Sequence, residues 1–367
     1  MNEFYMKRLT EELQNSPYDA MMLSPGEELR FLLGDFDPML CERFQGLFVK
    51  QDGEMFYICN LLYQEEFRAA LPASVRLYAW FDGEVMTEVV EKALAQEGLL
   101  GGTIAVNSTA QAFNVLEIMD KVDVTFKNGK PLLERMRIHK THEELEALRD
   151  SAAIVDQVFG EVISFIHPGQ SEKEIQDFLL RRMTELGGGS AECIVGCGAN
   201  SSYPHYSDCQ GIVAENDMVL LDYGCTMRGM YSDMTRMVFV GEPDAKRRAI
   251  YDLVVRSNVE AEKLVCEGAF VPDIDRRARE VLDEKGLAYT LINRLGHGIG
   301  YTIHEAPDIK QSNPICLERG MAFSIEPGVY LAGDFGVRIE DVVVVNEKGE
   351  CEVLNHATKE MVFAKFL

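Results

Sequence analysis

The chain has 367 residues, 47% hydrophobic and 26% charged, enough for an ample core and roughly two domains. A balance of 60 acidic against 36 basic residues leaves a formal charge of −24, which repels nucleic acid and anionic membrane, so neither is expected as a partner. Nine cysteines without zinc or redox spacing, a polar N-terminus and no apolar run near the ~20 residues of a membrane helix predict a cytoplasmic protein with free thiols.

In chain order, strand and helix signals alternate through the first ~130 residues, as in an α/β layer. GLFVK and EMFYICN flank the turn Gln51-Asp52-Gly53 and predict a hairpin. A helix near 62–70, a strand at 75–80, a helix over 85–96, the strand TIAVN, a helix over 110–119 and the strand DVTF follow. The pattern breaks at Lys127-Asn128-Gly129-Lys130-Pro131, which sets the expected domains at 1–130 and 131–367. Thr141-His142-Glu143-Glu144 and Ser171-Glu172-Lys173-Glu174 each have the form of a helix capping box. Their helices are expected to run to about Ile166 and to Gly187-Gly188-Gly189. Strands to about Val240, helices near 245–266 and 272–286, and strands from about Ala322 to Val345 predict an α+β second domain.

Four carboxylates stand out in that second domain. Side chains alternate faces along a strand, so an even loop in the hairpin 218–240 puts Asp222 and Asp233 on one face. An odd loop around Gly333 does the same for Glu326 and Glu340, and Arg338 points their way. Like charges so placed repel unless a cation sits between them. Between the hairpins lies RLGHGIGYTIHEAP, where glycines crowd His297 and His304 follows seven residues on. An aspartate at a strand end is more often a turn residue, and a histidine in a glycine loop more often a packing residue. The joint arrangement carries the weight. Four negative charges balance two divalent cations, and an oxygen-rich set with one imidazole suits Mn²⁺, Co²⁺ or Fe²⁺ better than thiolate zinc sites do.

DYG, SDMTR, GHGIGYTIHEAP, SIEPGVY and GVRIED, in that order, resemble the pita-bread metallopeptidases of the Xaa-Pro dipeptidase (prolidase) and aminopeptidase P branch. The resemblance implies a pita-bread catalytic domain behind a smaller α/β creatinase-type domain that caps the site and forms a homodimer. It implies a dinuclear centre held by Asp222, Asp233, His297, Glu326 and Glu340, with Asp233 and Glu340 bridging two ions, Mn²⁺ first and Co²⁺, Fe²⁺ or Zn²⁺ as alternatives. A bridging hydroxide would attack the carbonyl of an Xaa-Pro bond in a proline-containing peptide, and Glu326 would carry the proton to the leaving nitrogen.

His205, 17 residues before Asp222, and His304 match two further family histidines that hydrogen-bond the substrate. Arg338 is expected to order Glu340 or Tyr330, and Tyr330 shares their face. Cys225 should face away. Tyr206 is expected to narrow the pocket, and Lys310 and Arg319 are the cations on the substrate side. A methionine aminopeptidase or a non-catalytic peptide-binding protein on the same fold are the alternatives.

Overall fold

The computed structural model describes residues 2–34, 36, 38 and 42–365. Cys41 lies outside the described residues. Contacts divide the chain into two compact units, Met1–Met136 and Arg137–Leu367.

The first unit is built on a six-stranded mixed sheet. Its order is Arg76–Trp80, Met55–Asn60, Gly46–Lys50, Ala20–Leu23, Thr103–Val106 and Thr125–Asn128. The hairpin around Gly53 pairs Gly46–Lys50 with Met55–Asn60 in antiparallel register. Three elements ahead of it escaped the sequence pattern: the helices Glu3–Gln14 and Glu27–Leu33 and the strand Ala20–Leu23. That strand reads AMML, four buried residues without alternation, so periodicity gives no strand signal there. The break at 127–131 is no open linker either, because Lys130–Arg137 is a helix. Proline is tolerated in a first helical turn, where its missing N–H has no partner to lose.

In the second unit both capping boxes form. Thr141 and Glu144 start the helix His142–Val162, and Ser171 and Glu174 start Glu172–Glu185. The first ends four residues before Ile166. One sheet orders Val362–Phe363, Met234–Val240, Asp217–Met227 and Gly189–Cys197. A second orders Glu305–Ile309, Gly296–Gly298, Ala322–Ile325, Asp341–Val345 and Cys351–Val353. The ribbon Gly328–Leu331 with Phe335–Arg338 stands apart. Helices Ala245–Glu262 and Val271–Asp283 pack on the second sheet through Val254, Ile274 and Phe323, whereas Val155 and Leu179 pack on the first. Among the described residues no helix is long and apolar enough to cross a membrane.

One capping glutamate has a second role. Glu144 is buried and accepts a hydrogen bond from the Tyr301 hydroxyl. Burial pushes its carboxyl up to about 7, with Glu305 adding repulsion. Between about pH 4.5 and 7 the folded chain therefore keeps a proton that the unfolded chain loses, and stability falls as pH rises through that window. Glu144→Gln keeps the capping box and removes the titration. Denaturant unfolding at pH 5 and pH 8 should show the variant gaining roughly 3 kcal/mol on the wild type over that interval. Equal pH slopes would contradict this.

Candidate metal centre

Two turns set the register of the acidic residues. Arg228 and Gly229, with φ of 51° and 81°, form a two-residue turn of the mirror-image kind that suits a twisted hairpin. The ladder places Thr235 opposite Asp222, so Asp233 lies one diagonal step from Asp222. In the other hairpin residues 332–334 form a three-residue loop between Leu331 and Phe335. Gly328 pairs with Arg338, and the same register resumes with Ile325 opposite Asp341, which sets Glu326 against Glu340. His297 comes from the short strand Gly296–Gly298. A Cβ on Gly296 would lie 1.8 Å from the Ser324 carbonyl oxygen, so only glycine lets the strands close on this histidine.

All five residues line one cavity of about 570 Å³. Single ligand atoms of Asp233, His297 and Glu340 lie within 4.8 Å of one another. His297 Nε2 is 3.6 Å from Asp233 Oδ2 and 3.5 Å from Glu326 Oε1. Asp222 stands beside this group, held by the Arg338 guanidinium.

The electrostatics call for a cation. Burial raises the Asp233 carboxyl well above the usual range, and Glu340, Asp222 and Glu326 raise it further. Burial, then Glu326 and Asp222, do the same to Glu340. Burial pushes Glu326 up to about 7, although Arg338 pulls it back. His297 Nδ1 lies 3.1 Å from the Gly298 carbonyl oxygen, which can only accept, so the ring proton sits on Nδ1. Nε2 then presents a lone pair to the carboxylates, and burial holds the ring neutral with its pKa lowered to about 3. Glu340 Oε2 accepts from Thr235 at 2.6 Å, while the buried Oε1 has no hydrogen-bond partner among the described residues. An orphaned carboxylate oxygen, a neutral imidazole and crowded acids fit a divalent cation.

Arg338 is buried and forks between several groups. Besides Asp222 it donates to Thr235 Oγ1 at 3.0 Å, to the Tyr330 hydroxyl at 2.7 Å and to the Pro204 carbonyl at 3.2 Å. It thus reaches Glu340 through the Thr235 hydroxyl. Tyr330 lies behind it and does not line the cavity. His205 and His304 do, and the His304 ring meets His297 edge-on with centroids 4.3 Å apart. Lys310 lines the cavity, whereas Arg319 pairs with Glu267. The Tyr206 hydroxyl accepts from Asn200 at 2.9 Å and lies outside the cavity lining, contrary to the expectation that it narrows the pocket. Cys225 is buried against Ser232, away from the cavity.

Sequence reasoning missed Arg294, which lines the cavity and pairs with Asp308 at 2.7 Å, as Lys310 does from the other side at 2.5 Å. Its place three residues before His297 was a signal, but a loop has no periodicity to say where an arginine points.

Residues 146–347 match the model for metallopeptidase family M24, and residues 6–139 the model for the Creatinase/Prolidase N-terminal domain. A probable dipeptidase PepE of Mycobacterium tuberculosis is 33% identical over 343 residues, 92% of this chain and 90% of that protein. An Xaa-Pro dipeptidase of Lactobacillus helveticus is 31% identical over 97% of this chain and 98% of its own length. The crystal structure of dipeptidase PepE from Mycobacterium ulcerans is similar with a TM-score of 0.91 at 29% identity, covering 100% of this chain and 99% of that one.

Proposed function

The chain belongs to metallopeptidase family M24, and from that premise we propose that it hydrolyses Xaa-Pro bonds, with dipeptides as the preferred substrates. The observation that carries the reading is the acid cluster with its unpartnered Glu340 oxygen, in a chain matched over nearly its whole length by relatives named as dipeptidases. Asp233 and Glu340 would be shared between two divalent ions, Mn²⁺ first. Asp222 would complete one ion's ligands, and His297 and Glu326 the other's. When bound, such ions polarise a carbonyl and make water acidic.

The chain's own groups supply the rest. Proline's nitrogen in an Xaa-Pro bond is tertiary and leaves only once protonated; Glu326 delivers that proton. His304 and His205, on the cavity wall, donate hydrogen bonds to the scissile carbonyl oxygen as its charge grows. Arg294 and Lys310 bring positive charge to the cavity wall, both donating to the Asp308 carboxylate. A free C-terminal carboxylate close to the scissile bond, which only a dipeptide has, would meet that charge.

The reading extends to a homodimer in the cytoplasm. Phe113, Leu116 and Met119 form an exposed apolar stripe on the helix Ala112–Lys121, and the eight described cysteines are free thiols. Rates on Leu-Pro and Leu-Pro-Gly with added Mn²⁺ test the substrate. The dipeptide should show at least about tenfold higher kcat/KM, near 1.4 kcal/mol of transition-state preference. Preference for the tripeptide would make the chain an aminopeptidase, and cleavage of neither would remove the Xaa-Pro assignment.

A further inference from the structure

Glu326 and Glu340 face each other at a gap in the sheet. Ladder pairing runs from Ala322–Ile325 to Asp341–Val345 on one side and from Gly328–Leu331 to Phe335–Arg338 on the other. Neither ladder includes the glutamates, so the main chain around them needs other partners. Glu326 N–H donates to the Leu295 carbonyl at 2.8 Å, and Glu340 N–H to the Thr235 carbonyl at 3.2 Å. The carbonyls are held by side chains. Asn258 Nδ2 donates to the Ile325 oxygen at 2.9 Å, and Arg236 Nη1 to the Glu340 oxygen at 2.7 Å.

Both side chains lead to one ammonium. Lys359 Nζ donates to Asn258 Oδ1 at 2.7 Å, which fixes the end of the amide that faces Ile325. It also lies 2.9 Å from Asp341 Oδ2, while Asp341 Oδ1 accepts from Arg236 Nη2 at 2.6 Å. Both Glu262 oxygens accept from the same Nζ at 2.7 Å. Asn258, Asp341, Arg236 and Glu262 are buried, and two cations balance two anions only while Lys359 is in place. The segment that delivers it is fastened independently. Asp156 accepts the N–H groups of His356 and Ala357 at 2.6 and 2.9 Å, and the Tyr251 hydroxyl donates to the Lys359 carbonyl at 3.0 Å.

We propose that Lys359 is a positioning residue for the metal centre, fixing the backbones of Glu326 and Glu340 together through Asn258 and the Asp341–Arg236 pair. The inference rests on the reading that these glutamates hold divalent ions, and it needs no contact between Lys359 and metal or substrate.

Equilibrium dialysis of the purified full chain against Mn²⁺ tests it, using Lys359→Met/Glu262→Gln and Asn258→Ala. The double variant removes one cation and one anion, so the buried set stays balanced and the fold is kept while the contacts to Asn258 and Asp341 are lost. Asn258→Ala leaves the ions intact, frees the Ile325 carbonyl and takes one acceptor from the Lys359 ammonium. Both variants should bind Mn²⁺ about 10–100-fold more weakly than wild type, the range for groups that orient ligands without touching the metal. Wild-type affinity in either one overturns the proposal. A wild-type chain that binds no Mn²⁺ overturns the metal reading itself, a result distinct from normal wild-type binding with unshifted variants.

Discussion

Asp233→Asn should abolish Xaa-Pro hydrolysis, by at least ~10³-fold, beyond the 10–100-fold typical of groups behind the ligands, and Glu340→Gln should do the same. Each variant removes one of the two carboxylates proposed to serve both ions. The stability change should have opposite signs with and without metal. In the stripped protein Asp233 is buried among three other carboxylates that raise its pKa. Neutralising it relieves repulsion, so the stripped variant should melt higher than the stripped wild type. Added Mn²⁺ should then raise its melting temperature less than it raises the wild type's. Thermal unfolding with chelator and with Mn²⁺ reads both effects, and full turnover in either variant would remove these residues from the site.

Arg338→Met should be nearly as damaging, for a different reason. Among the described residues this guanidinium is the one cation hydrogen-bonded to a side-chain carboxylate of the acid cluster, and it ties Asp222, Thr235, Tyr330 and the carbonyl before His205 into one arrangement. Its loss leaves buried acid without a partner, a change that typically costs about 3–5 kcal/mol. The stripped variant should unfold at lower denaturant, and kcat should fall at least ~10²-fold. Arg338→Lys separates charge from geometry. Lysine restores part of the stability but cannot reproduce the fork, so kcat should stay low. Wild-type kcat in Arg338→Lys would show that the positive charge alone suffices.

The acid cluster was legible because strands alternate strictly and each hairpin carries its own turn signal. Arg228-Gly229 and the loop around Gly333 set loop lengths, and loop length decides whether two residues share a face. Capping boxes at Thr141 and Ser171 were equally readable, since the cap and its partner lie three residues apart. What escaped depends on chain distant in sequence or without period. Arg294 and Asp308 meet across a loop, and Tyr206 turns toward Asn200 because a hydroxyl finds a donor there. Lys359 reaches Asn258 across 101 positions, and no local pattern points to that pairing. The strand Ala20–Leu23 was missed because residues buried on both faces show no alternation.

The central claim is that the acids around His297 are held together by divalent charge. Mn²⁺ bound per chain, measured by equilibrium dialysis of the metal-stripped protein while Leu-Pro hydrolysis is followed, tests it most directly. Two ions per chain, with activity rising as they bind, is the predicted result. Hydrolysis that persists with no ion bound, or a folded chain that takes up none, would contradict it.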